Sequence, residues 1–249
     1  MRPADADQAS VAAALAEAGA LGGFFGIGVG GGPGPDAGAA GASTEAGAGA
    51  GWQPALEAYR QGLRGLTEQM KEQLGVREDR VAVSTLQFGY AARLWSPVLA
   101  CALVSGIVPG LDRLRVSTSL PVRLLLPAAA GWRPSGYEQL ADLAYRCVVD
   151  GQLVPLAAGP HPPVAAGLLH GNAASAMIGA LTVLARLRPG LGGPARVVAA
   201  RLLATGLLRG TGRLTGAGLE FRRSSCCLYY RVPGGGLCGD CSLHPERCI

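Results

Sequence analysis

Lysine is almost missing from this chain: Lys71 is the only one among 249 residues, and Phe, Trp and Tyr together make up 5%. The formal charge is still +5, so nearly all of the positive charge is arginine. A nucleic-acid surface needs basic residues interleaved with stacking aromatics. Here the arginines are scattered and the aromatics few, which excludes that class and leaves at most a modest basic face for an acidic protein partner. Long clean apolar runs are lacking too. Residues 94–110 are about one helix long but contain Pro97 and Pro109, and the uncharged run 151–185 carries Gln152, His161, His170, Asn172 and several prolines. Neither reads as a membrane span. The opening residues, MRPADADQAS, hold Asp5 and Asp7 and no apolar core of a signal peptide, so a cytoplasmic protein is expected. Paired carboxylates, a nucleophile elbow and a P-loop are all absent. Gly26, Gly28 and Gly31 fit the spacing of a dinucleotide loop, but an Ala-rich helix precedes them and Pro33 and Pro35 follow. The strand and helix that such a loop requires are not there, so no flavin or nicotinamide site is expected.

Cysteine is scarce over most of the length and then abundant. Only Cys101 and Cys147 precede residue 226; the other five lie between Cys226 and Cys248. A secreted disulfide framework would spread its cysteines through a small domain. In a reducing compartment, thiols gathered at one end of the chain point to a metal.

Hydrophobic periodicity predicts a mainly helical α+β body, residues 1–217, followed by a cysteine-rich tail, 218–249. An Ala-rich helix is expected over 9–20 and a flexible Gly/Ala-rich loop over 26–51. Leu56, Tyr59, Leu63, Leu66 and Met70 recur at helical spacing, predicting one amphipathic helix to about Leu74 with Gly75 as its stop. The stretch 78–106 reads as a buried helix kinked at Pro97. Short β-branched runs broken by Pro121 and Pro127 predict a small antiparallel ribbon. Ser135 is placed to cap a helix over 136–149, and further helices are expected over 164–187 and 194–208.

The tail reads Cys226, Cys227, ten residues, Cys238, two residues, Cys241. The Cys-x-x-Cys half can put two thiolates on one metal ion. Zinc would favour the same spacing on the other side, which adjacent cysteines do not offer, because neighbouring side chains in an extended chain point apart. A two-iron cluster spreads four thiolates over two centres and tolerates the pattern better. The residues alone leave both metals open. Gly234, Gly235 and Gly236 permit close backbone approach, and Arg222, Arg223 and Arg231 place positive charge beside the sulfurs, which would raise a cluster's potential.

The spacing Cys-Cys-x10-Cys-x2-Cys resembles that of the FhuF family, the siderophore-iron reductases with a 2Fe-2S C-terminal domain. The segments ALGGFF, GYAARLWSPVLA and HGNAASAMIGA also look like parts of that family's N-terminal region. The resemblance implies that Cys226, Cys227, Cys238 and Cys241 bind a [2Fe-2S] cluster. It also implies that the chain reduces ferric siderophores, of hydroxamate type for preference, with electrons from an external donor such as a ferredoxin. The Gly-rich loop departs from the family and reads as an insertion. Cys248 falls outside the pattern and reads as a free thiol, Cys101 and Cys147 as buried structural thiols, and His244 as a surface residue. His170 and Asn172, polar residues in an apolar helix, are candidates to line the substrate cleft. An iron–sulfur sensor and a structural zinc protein are the competing readings.

Overall fold

The computed structural model describes residues 3–30 and 51–243. The expected loop falls largely outside these residues, as do His244 and Cys248. Strand β1 (Ala4–Ala6) leads into helix α1 (Gln8–Gly19), whose N-cap Asp7 accepts a hydrogen bond from the Ser10 amide at 2.8 Å, satisfying one of the helix's orphan donors. Strand β2 (Gly28–Val29) lies inside the segment expected to be flexible. It is held because Ile27 is buried and the backbone pairs with the sheet.

After β3 (Trp52–Pro54), the predicted single helix is two, α2 (Ala55–Arg60) and α3 (Arg64–Leu74). The break falls at Gly62 (φ 65°) and Leu63 (φ 49°). A Cβ on Gly62 would lie 1.6 Å from the Pro160 carbonyl oxygen, so the contact with the 159–160 turn needs a glycine there and the helix yields. Gly75 ends α3 in the left-handed conformation as expected.

Helix α4 (Asp79–Val104) carries Pro97 internally and buries most of its length. Four short strands follow: β4 (Val108–Pro109), β5 (Arg115–Ser117), β6 (Leu124–Leu126) and β7 (Gly131–Arg133). The predicted ribbon is the antiparallel pair β5–β6, but it sits within a larger sheet of order β2-β6-β5-β3, where β2 runs parallel to β6. A second sheet has the order β1-β7-β4.

Helix α5 (Tyr137–Tyr145) starts without a side-chain cap. Ser135 is instead a donor, its amide bonding Gln139 Oε1 at 2.8 Å. The helix then widens into a π-helical stretch, Arg146–Leu153, before α6 (Val154–Ala158). Gln152 on that stretch accepts from the Tyr59 hydroxyl at 2.8 Å and donates to the Leu111 carbonyl at 3.0 Å, with Tyr90 bonded to Tyr59 at 2.6 Å. This buried polar knot ties α2 and α4 to the π-helical turn, and burial raises both tyrosine pKa values.

Helix α7 (Ala166–Leu187) packs along α4, and α8 (Gly192–Leu203) packs on α5 and α7. By length and composition α7 could cross a membrane, yet 72% of its apolar window is buried, as in a core helix. The helix predicted to reach 208 ends at Leu203, and a 3-10 turn covers Gly206–Leu208. The hairpin of β8 (Gly212–Leu214) and β9 (Phe221–Arg223) then delivers the chain to the cysteines. Phe221 belongs to the main core, so the strand leading into the site is anchored in the body.

Candidate metal centre

Strand β9 ends at Arg223, and the adjacent cysteines follow after two serines. Leu228 adopts φ 65° and turns the chain into a 3-10 turn at Tyr229–Arg231. The three-glycine segment then reverses it. A Cβ on Gly235 would stand 2.7 Å from the Tyr229 carbonyl oxygen, so the close approach this glycine permits is to its own turn. The Cys-x-x-Cys loop closes through Cys241 N donating to the Cys238 carbonyl at 3.1 Å and returns to β9 through Arg223 N donating to the Asp240 carbonyl at 3.1 Å.

These turns bring Cys227 Sγ within 3.5 Å of Cys238 Sγ. Two thiolates on one tetrahedral metal with arms near 2.3 Å stand about 3.8 Å apart, so the spacing of this pair is compatible with a shared metal ion. Cys226 Sγ and Cys241 Sγ each accept the amide hydrogen two residues on, from Leu228 and Leu243, at 3.4 Å. Among the described residues, no three His, Cys, Asp or Glu side chains converge as the ligands of a single ion. The shared hydrogen bond, helped by Arg223, draws the Cys227 thiol down to about 6 and pushes Cys238 up.

The surroundings supply donors. Arg223 is 2% exposed and bonds neutral acceptors, Asn172 Oδ1 at 2.7 Å and the Leu168 carbonyl at 3.5 Å. Its Nε, the Ser225 hydroxyl and the Thr85 hydroxyl are buried without partners. Arg223 and Thr85 line the same cavity as Cys227 and Cys238. The buried, unpartnered Arg223 Nε beside Cys227 and Cys238 fits an anionic group with sulfur acceptors, and a [2Fe-2S] cluster held by thiolates is such a group.

The expected electrostatic role is thereby reassigned. Arg231 is exposed, pairs with Glu78 at 2.6 Å and stacks over the Tyr230 ring, so its charge is largely offset. Arg223 is buried, and its guanidinium bonds neutral acceptors. Replacing it with glutamine should shift the cluster's reduction equilibrium about tenfold toward the oxidised form, about 59 mV for a one-electron couple, with lysine restoring part of the loss. Replacing Arg231 with alanine should shift it far less. Redox titration followed by EPR distinguishes the two, and equal small shifts would remove Arg223 from the role.

Asn172, expected in a substrate cleft, is fully buried. Its Nδ2 donates to the Ser84 carbonyl and hydroxyl at 3.0 and 3.1 Å, and Ser84 Oγ donates to the Cys227 carbonyl at 2.6 Å. It fastens the tail to α4 and α7 and shows no atom to a solute. Its neighbour Gly171 lets β9 and Ser225 lie against α7. His170 is half-buried on a separate cavity of about 230 Å³ lined by Gln87, Val149, Leu153 and Leu208, with no cysteine in its wall, and desolvation lowers its pKa. Cys101 and Cys147 lie outside the centre, and burial raises both thiols to about 12. Arg223 and Ser84 form the frame of the site, and Thr85 lines the cavity beside it. Ser84 and Thr85 passed unnoticed in the sequence because they sit inside an apolar helical run with no signal of their own.

Residues 223–243 match the family model for the FhuF 2Fe-2S C-terminal domain. The match begins at Arg223 and includes all four cysteines. The chain therefore carries a 2Fe-2S-binding domain of the FhuF kind. No curated protein matches the chain.

Proposed function

We propose that the protein reduces ferric complexes of oxygen-ligand siderophores by one-electron transfer and releases Fe(II) in the cytoplasm. The observation that carries this reading is the match of the Arg223–Leu243 segment to a 2Fe-2S domain, together with a cavity whose wall includes two of its thiols. When bound, a 2Fe-2S centre supplies a single electron, which is what Fe(III) needs to become Fe(II). Hard oxygen ligands hold Fe(III) tightly and Fe(II) weakly, so reduction releases the metal with no bond of the siderophore broken. In this reading the tail, 218–249, holds the cluster through Cys226, Cys227, Cys238 and Cys241, and the body, 1–217, presents the ferric complex. Arg223 offsets the negative charge gained on reduction, and the amides of Leu228 and Leu243 hold the sulfurs of Cys226 and Cys241. An external one-electron donor such as a ferredoxin restores the reduced state.

The test is anaerobic reconstitution, iron and sulfide analysis, EPR of the reduced protein, and stopped-flow mixing with a ferric trihydroxamate. The expected result is two irons and two sulfides per chain and reoxidation at a rate proportional to the ferric complex, with Fe(II) trapped by a chelator. A cluster that reduces reversibly but is not reoxidised by any ferric complex would rule the activity out. Colourless protein with one zinc would rule out the cofactor.

A further inference from the structure

The cavity beside the cysteines is distinct from the one holding His170. It measures about 220 Å³ and is lined by Ser84, Thr85, Phe88, Tyr229, Cys227 and Cys238, among others. Phe88 and Tyr229 are 38% and 41% exposed, so its rim is aromatic and open. Thr85 Oγ1, within it, is buried and has no hydrogen-bond partner. Phe88 also forms the wall of a second groove of about 370 Å³, lined by Phe24, Ala92, Gly179 and Val183. The two hollows are therefore neighbours across one phenyl ring. The three segments that resemble the family body, Ala20–Phe25, Gly89–Ala100 and His170–Ala180, all contribute to this second groove.

We infer that the ferric complex docks over Phe88, with one arm in the cavity of Thr85 and Tyr229, and that the electron leaves through the Cys227–Cys238 side of the centre. The inference rests on the reductase reading and adds the site to it. Electron transfer falls off steeply with distance, so the acceptor must approach a thiol that borders open space. Cys227 and Cys238 border this cavity, whereas Cys241 is 3% exposed. The unpartnered Thr85 hydroxyl meets a hydrogen-bond acceptor, which a hydroxamate oxygen provides, since a buried hydroxyl left unpaired is costly. The apolar walls of Phe88, Phe24 and Val183 suit the methylene chains that link hydroxamate groups. The cavity beside the cysteines, about 220 Å³, is alone below the usual size of a ligand pocket, while the groove of about 370 Å³ across Phe88 falls within it. His170, on the other cavity, lies away from this path.

A redox-inert probe separates binding from activity. The gallium(III) complex of desferrioxamine B has the shape and charge of the ferric trihydroxamate and accepts no electron. Its affinity for the reconstituted protein is read by calorimetry. Phe88→Ala should weaken it about tenfold, the scale of losing one buried aromatic contact, and Thr85→Val should weaken it severalfold, with iron content, spectrum and potential unchanged in both. Stopped-flow rates with the ferric complex at sub-saturating concentration should fall in parallel. If both variants bind gallium complex and react as the wild type does, the docking site is wrong while the reductase reading stands. If His170→Ala weakens binding and Phe88→Ala does not, the complex occupies the other cavity and the inference is overturned. If the wild-type cluster is not reoxidised at all, it is the reductase reading that fails.

Discussion

Serine at Cys227 or Cys238 should yield a folded protein that loses its cluster or carries one with a shifted spectrum, while serine at Cys101 or Cys147 should change neither. The two tail sulfurs stand 3.5 Å apart, close to the spacing of two thiolates on one metal ion. A serine hydroxyl keeps its proton where a thiol gives it up and is a harder donor, so the replaced position binds iron weakly. The same change at Cys226 or Cys241 should act likewise, since their sulfurs already accept amide hydrogens. Cys101 sits 17 residues along α4 from Ser84, the residue that contacts the tail, which is about 25 Å at 1.5 Å per residue. Burial holds its thiol, like that of Cys147, at about 12, so neither offers a thiolate. Iron and sulfide analysis with visible spectra decides the matter. Wild-type iron, sulfide and spectrum in Cys227→Ser or Cys238→Ser would remove that residue from the ligand set.

What the sequence made legible follows the range over which each signal acts. The cysteines declare themselves because their chemistry is rare and their spacing is local, and α4 and α7 declare themselves because they are long. The break between α2 and α3 was hidden: Leu56, Tyr59, Leu63, Leu66 and Met70 keep helical spacing across it. The cause lies about a hundred residues away, in the carbonyl of Pro160 pressed against Gly62. Strand β2 was hidden by composition, since two residues within a glycine-rich run acquire their structure only by pairing with Leu125 and Leu126. Asn172 was conspicuous as a polar residue in an apolar helix, but the sequence does not show which way its amide is used. Its partners, Arg223 and Ser84, lie 51 and 88 residues away. The same distance explains why three arginines looked alike: only the fold buries Arg223 and gives Arg231 to Glu78.

The joint between tail and body makes a glycine critical. A Cβ on Gly171 would fall 2.2 Å from Ser225 Oγ and 3.0 Å from Arg223 Nη2. The serine hydroxyl could turn away from an added methyl, so alanine is a mild test. Valine adds two further carbons against a guanidinium that is fixed by Asn172 and the Leu168 carbonyl. Either β9 lifts from α7 or Arg223 leaves Asn172 Oδ1, and a buried cation that loses its acceptors is expensive. Gly171→Val should therefore lower stability by about 2 kcal/mol, the usual scale of overpacking, and lower the melting midpoint by about 6 °C for a chain of this size. The cluster should suffer more than the fold. The Ser84–Asn172–Arg223 chain holds the tail at both Arg223 and the Cys227 carbonyl, so iron content should drop below half and the remaining cluster should be lost faster to a chelator. Gly167→Ala, on the same helix with open space around its Cβ position, should leave iron content and midpoint near wild type. Calorimetric melting and timed chelation on the two variants give the comparison. Full iron content and an unchanged chelation rate in Gly171→Val would show that the cysteine loop holds its cluster without being clamped to α7.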